Sequence, residues 1–225
     1  MNSCGFWRRR LNNTTLRVLR RDLAGKKIHG SELKRIVIDG CQQLAAVDIH
    51  EAVGDELAMI QNQGLRDFMY RLLERMPRYF WHVPASIMGF HDIGSDNMMG
   101  GLIRHSKKVA RVAQRIGEPY GLDGYADDFI VTGLLHDSFK YGIDGNIPKG
   151  EDHATFAAQW YEKNNIFNDR PHIRGMIRTH LGRWGLVPPQ NNLDWAFHIA
   201  DFVVSRGAAP SLKPAKYSVV LPARK

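Results

Sequence analysis

Apolar residues recur along this chain at intervals of three and four, the period of a helix that buries one face. Leu33, Ile36, Val37, Cys41, Leu44 and Val47 follow Ser31, a candidate N-cap, and predict a helix over residues 31–53. Leu57, Ile60, Leu65, Phe68, Leu72 and Leu73 predict another over 57–76, weakened at Gly64 and stopped by Pro77. Residues 77–101 read as an irregular connector rich in Pro and Gly, anchored by Tyr79, Phe80, Trp81 and Phe90. A series of helices then begins. Residues 102–116 place Val109, Val112 and Ile116 on one face with His105, and Lys107, Lys108, Arg111 and Arg115 opposite. Residues 126–141 bury Phe129, Ile130, Gly133 and Leu134 and bring His136-Asp137 near their end, before Gly142 and Gly145. Asp152 is placed to cap a helix opening at His153. Ile173, Met176, Ile177, His180 and Leu181 share a face, and a last helix over about 193–205 puts His198 and Asp201 together. No alternating strand pattern is present, and the tail with Pro210, Pro214 and Pro222 reads as extended. The expectation is an all-α protein.

The chemistry lies in the order His105, His136-Asp137, His153, His180, Asp201. Imidazole and carboxylate are the ligands of hydrolytic first-row ions. A His-Asp pair inside the apolar run Gly133-Leu134-Leu135-His136-Asp137 is costly to bury without an ion or partner. His105, His136, Asp137 and Asp201 supply a first set of ligands, with His153 and His180 completing a second. Asp137, with two oxygens, is suited to bridge two ions. Lys140 follows Asp137 by three residues and is the cation placed to meet phosphate, with Arg183 and Arg206 as further candidates. His198 is read as orienting Asp201, touching substrate, or simply filling core. His29, His50 and His172 are read as structural, His82 and His91 as surface residues or local hydrogen-bond partners, with lining of the pocket the alternative for His91, and Trp160, Trp184 and Trp195 as core.

Charge narrows the partners. The net charge is +8. Residues 1–35 hold ten cations (Arg8, Arg9, Arg10, Arg17, Arg20, Arg21, Lys26, Lys27, Lys34, Arg35) against Asp22 and Glu32, which equals that whole excess. Anionic partners are favoured: a phosphorylated small molecule such as a nucleotide, or nucleic acid held by the basic arm. No window is apolar enough for a membrane span, so no membrane partner is expected. Two cysteines, Cys4 and Cys41, exclude a disulfide framework and fit a cytoplasmic location.

The ordered ligands, with Gly100-Gly101-Leu102-Ile103-Arg104-His105, Leu134-Leu135-His136-Asp137-Ser138-Phe139-Lys140 and His198-Ile199-Ala200-Asp201, resemble the HD-domain superfamily of metal-dependent phosphohydrolases. His180-Leu181-Gly182-Arg183-Trp184-Gly185 looks like the surroundings of a ligand in HD proteins of phages and prokaryotes. The resemblance implies an HD-domain helical bundle over 77–207, preceded by a basic arm and helical extension over 1–76 and followed by a tail over 208–225. It implies one or two divalent ions (Mn, Fe, Co, Zn or Ni) and a metal-bound hydroxide attacking a nucleotide or other phosphoester, with Asp137 and Lys140 in catalytic roles. A di-iron HD-fold oxygenase and a nucleic-acid-binding 3′-end nuclease are the alternatives. Ser138-Phe139 stands where the family often has Ile-Gly, and the Gly-Tyr-Pro signature of cyclic-di-GMP phosphodiesterases is absent.

Overall fold

The computed structural model describes residues 30–87 and 96–206. The basic arm up to His29, Phe90 and His91 in the connector, and the tail from Gly207 lie outside them. Among the described residues no strand is present, as the periodicity predicts.

The N-terminal part is more segmented than its apolar pattern. Instead of two long helices it forms α1 (Gly30–Gln42), α2 (Ile49–Ala58) and α3 (Gln63–Leu73). Both breaks are built by caps. The Asp48 carboxylate accepts from the backbone N–H groups of His50 and Glu51, and the Asn62 side chain accepts from that of Leu65. The second break is also tied from afar: the Asp127 carboxylate accepts from Gln61 N at 2.7 Å and Asn62 N at 2.8 Å. The connector holds a short helix, α4 (Arg78–His82), whose Tyr79, Phe80 and Trp81 are buried. The backbone then runs beside the start of the next helix, with Gly100 N bonded to His82 O and Leu102 N to Val83 O.

The remaining helices are α5 (Gly101–Gly117), α6 (Ala126–Leu135), α7 (His153–Lys163), α8 (Pro171–Thr179) and α9 (Asn192–Arg206). α5 is central: it packs on α6 and α9, while α8 joins α7, α6 and α9. α5 and α6 meet closely because Gly133 faces Ala110; a Cβ there would lie 2.7 Å from the Ala110 Cβ. The polar face of α5 is put to structural use. Lys107 and Arg111 reach Glu56, fully buried on α2, at 3.1 and 2.6 Å. A buried carboxylate held by two partly exposed cations thus ties α2 to α5.

Two expectations need correction. The helix at 126–141 ends at Leu135, so His136-Asp137 starts a run of turns rather than riding on a helix. Trp184 and Trp195 are not core: half of each is exposed, because they sit on the outer side of α9 and the turn before it.

Candidate metal centre

Five segments converge on one buried point. His105 comes from the second turn of α5, Asp201 from the middle of α9, and His153 from the first turn of α7. His136 and His180 are the C-cap residues of α6 and α8. Both histidines are aimed by the same local bond. Nδ1 of His136 donates to Gly133 O at 2.9 Å, and Nδ1 of His180 donates to Ile177 O at 2.7 Å. Nε2 of each ring is thereby turned into the cluster as the ligand atom, that of His180 lying 3.2 Å from His153 Nε2. The two helix C-termini also bring their negative dipole ends to a place where cations are favoured.

The geometry sorts around Asp137. Its Oδ2 lies 3.7 Å from His136 Nε2 and 4.0 Å from His105 Nε2. Its Oδ1 lies 2.9 Å from His153 Nε2 and 3.7 Å from His180 Nε2. Asp201 Oδ1 closes the first group, 3.0 Å from His105 and 3.7 Å from His136. Donors around one ion at about 2.1 Å stand roughly 3–4 Å from each other, so these spacings fit coordination. Two sets, His105-His136-Asp201 and His136-Asp137-His180, have ligand atoms mutually within 4.8 Å. His136 Nε2 is buried and has no hydrogen-bond partner. The donors present therefore suit divalent transition ions.

Protonation follows the same logic. Burial pushes the His136 imidazole down to about 3, keeping it neutral, the form that binds metal. Burial alone raises a carboxyl, yet Asp137 is held well below the usual range by Lys140 and the surrounding histidines. Asp201 is likewise lowered, its burial outweighed by the bond to His105 and the nearby rings. Lys140 is raised because the Asp137 carboxylate, 2.6 Å away, outweighs the cost of its burial.

Every proposed ligand thus falls in one cluster, and Lys140 stands against it. Arg183 and Arg206 do not pair with the cluster's carboxylates in this arrangement. Their guanidinium groups lie 4.6 Å over the Trp184 ring and 5.8 Å over the Phe202 ring.

Supporting residues were less visible in the sequence. His198 supports His180 rather than Asp201: its Nδ1 donates to His180 O at 2.7 Å. That approach requires Gly182, at φ +59, because any Cβ there would meet the His198 ring. Asp152 caps α7 through Thr155 N at 2.7 Å and also takes Leu186 N at 2.6 Å, tying the 182–186 turn to the helix that opens with His153. Tyr79 donates to Gly142 O and accepts from Tyr141 N, and Ser138 Oγ meets Tyr161 OH at 2.8 Å, so the turns after the doublet are pinned on both sides. His172, read as structural, is so: it meets buried Asp128 at 2.7 Å beside Arg170 at 2.6 Å.

Residues 102–203 match the family model for the HD domain. The chain carries an HD domain. The matched span begins one residue into α5 and ends within α9, so it encloses every member of the cluster. The superfamily is one of metal-dependent phosphohydrolases, which agrees with the chemistry of the donors. Searches of curated proteins and of solved structures gave no match. No helix among the described residues is long and apolar enough to cross a membrane.

Proposed function

We propose that this HD domain hydrolyses a nucleotide or other phosphoester at a centre of two divalent ions. The observation that carries the proposal is Asp137, whose two oxygens face separate histidine groups, His105-His136 on one side and His153-His180 on the other. His105, His136, Asp137 and Asp201 would hold one ion, and Asp137, His153 and His180 the other. Bound there, such ions polarise phosphoryl oxygen and lower the pKa of water.

The chain's own residues do the rest. Asp137 stays anionic, because its proton affinity is held down, and so remains able to orient a water hydrogen. Lys140 supplies a positive charge beside it for the phosphoryl oxygens. His105 and His136 are sealed from solvent, whereas the side chains of Asp201, His153 and Lys140 remain 14, 18 and 16 % exposed. Substrate enters on that side. The cationic excess of residues 1–35 favours an anionic substrate, and nucleic acid is within its scope.

The test is reconstitution of metal-free protein with Mn²⁺, Co²⁺, Fe²⁺, Zn²⁺ or Ni²⁺. Phosphate or nucleotide release is then followed over nucleoside triphosphates, cyclic nucleotides and short single strands. The expected result is two metal equivalents and turnover in the wild type, one equivalent in the His153→Ala/His180→Ala double variant, and no turnover in Asp137→Ala. Oxygen consumption with iron and no phosphoester cleavage would replace the proposal with an oxygenase.

A further inference from the structure

Among the described residues, ten large hydrophobic side chains are exposed, and five of them gather on the outer face of α9: Trp195, Ile199, Phe202 and Val203 share that face by helical spacing, and Trp184 stacks on Phe202, with exposed Leu186 two residues beyond it. A patch of this kind marks a binding surface rather than scattered exposure. Its composition is specific. Trp184 and Phe202 stack nearly parallel, at 9° with centroids 5.7 Å apart. His198 packs between them and Trp195, with ring centroids 6.3 Å from Trp184 and 5.8 Å from Trp195. Arg183 covers the Trp184 ring and Arg206 the Phe202 ring. The nearby carboxylates are already engaged: Asp194 is buried, Asp201 belongs to the ligand cluster and Asp152 is bonded to Leu186 N. The surface is therefore aromatic and cationic, the complement of a planar group joined to an anion.

Its position ties it to the metal centre. Phe202 follows Asp201 directly, and Trp184 lies four residues beyond His180. His198 is bonded to the His180 carbonyl, and Leu186 N to the carboxylate of Asp152, the residue before His153. The patch is thus bonded to the two segments that carry His180 and His153.

We propose that Trp184, Phe202 and Trp195 form a stacking subsite for the nucleobase of the substrate, with Arg183 and Arg206 meeting its flanking phosphates. This rests on the hydrolase reading and narrows it to nucleotides, either free or at the end of a single strand. Aromatic rings accept any base by its π-face, and a guanidinium lying over a ring keeps its N–H edge directed outward for phosphate oxygens. Stacking predicts tolerance of base identity and dependence on the base being present.

The experiment has two arms. In the first, metal-free wild type and Trp184→Ala, Phe202→Ala and double variants are titrated with AMP, oligodeoxyadenylate and an abasic oligonucleotide of equal length, following tryptophan fluorescence and calorimetric heat. The expected result is weaker binding of the base-bearing ligands by about tenfold or more in the double variant, with the abasic strand already weak in the wild type. Whether AMP or the strand binds more tightly separates the free and strand-borne sources. In the second arm, the metal-loaded proteins are compared on a nucleotide and on ribose 5-phosphate. The ratio of their kcat/KM values is expected to fall about tenfold in the double variant. An unchanged ratio and unchanged binding would overturn the subsite while leaving the hydrolase reading intact. Base-dependent binding without phosphoester turnover in any metal form would retain the subsite and remove the hydrolase. A wild-type dimer that Trp184→Ala converts to monomer would overturn the proposal in favour of a self-association surface.

Discussion

Replacing Gly133 by alanine and Gly54 by alanine makes the same chemical change in two helices, and the structure assigns them opposite signs. Both glycines lie inside helices, α6 and α2, where alanine gains about 1 kcal/mol of intrinsic propensity over glycine. At Gly54 a new Cβ meets nothing within 4 Å. That variant should be stabilised by roughly 0.5–1 kcal/mol. At Gly133 the Cβ would lie 2.5 Å from the Ala110 backbone N and 2.7 Å from its Cβ. Carbon atoms in contact sit at about 3.5–4.0 Å, so α5 and α6 must separate by roughly 1 Å. The obstacle is backbone, which cannot rotate away, and such overpacking costs about 1–3 kcal/mol. Gly133→Ala should therefore destabilise the metal-free protein by up to about 2 kcal/mol after its propensity gain. The damage is also functional. Gly133 O orients His136, and α5 carries His105, so the first group of ligands spreads. Urea denaturation with both variants, and metal titration of the metal-free forms, is the assay. A Gly133→Ala midpoint at or above wild type, with unchanged metal affinity, would refute the close-packing argument.

Other expectations follow from individual contacts. Asp128→Ala strips Arg170 and His172 of a buried partner and should cost about 2 kcal/mol in urea denaturation, since hydrogen bonds to charged groups are worth roughly 1.5–3. Asp128→Asn, which keeps a hydrogen-bond acceptor, should cost less. Asp152→Ala removes the cap of α7 and the anchor of the 182–186 turn, lowering stability by about 1 kcal/mol and weakening the second of two metal-binding steps in calorimetry. Burial pushes the Cys41 thiol up to about 12 from an ordinary 9.0. In a Cys4→Ser background, native protein at neutral pH should alkylate at least roughly 10³-fold more slowly than urea-unfolded protein, because the thiolate is the reacting form. Comparable rates would show that Cys41 is accessible. The same raised pKa gives stability that is complete below pH 9.0 and declines as pH climbs toward about 12.

The helices that carry the centre are legible in the sequence because their apolar period is long and uninterrupted, as in α5 with Val109 and Val112. The ligand set is legible on energetic grounds: an imidazole or carboxylate within an apolar run is costly to bury unless an ion or a partner holds it. What escapes are features set by partners distant in sequence. The break between α2 and α3 depends on Asp127, some 65 residues away from Asn62. The apolar spacing of Leu57, Ile60 and Leu65 runs straight across it. The exposure of Trp184 and Trp195 is hidden because composition treats tryptophan as core, and only the packing of α9 reveals which of its faces has no neighbour. The role of His198 needed the left-handed turn at Gly182, which no local pattern marks.

His136 and His180 share one trait, each ring bonded to the carbonyl three residues behind it in its own chain. The direction in which these ligands point is therefore decided within four residues, as soon as each helix end forms. Long-range packing has only to set how far apart the helix ends lie. Divergence of the surrounding core would then act like a calliper. It would change the span between ligands, and with it the size of ion preferred, while leaving every ligand correctly aimed. A scaffold arranged this way can exchange one metal for another through changes well outside the coordination sphere.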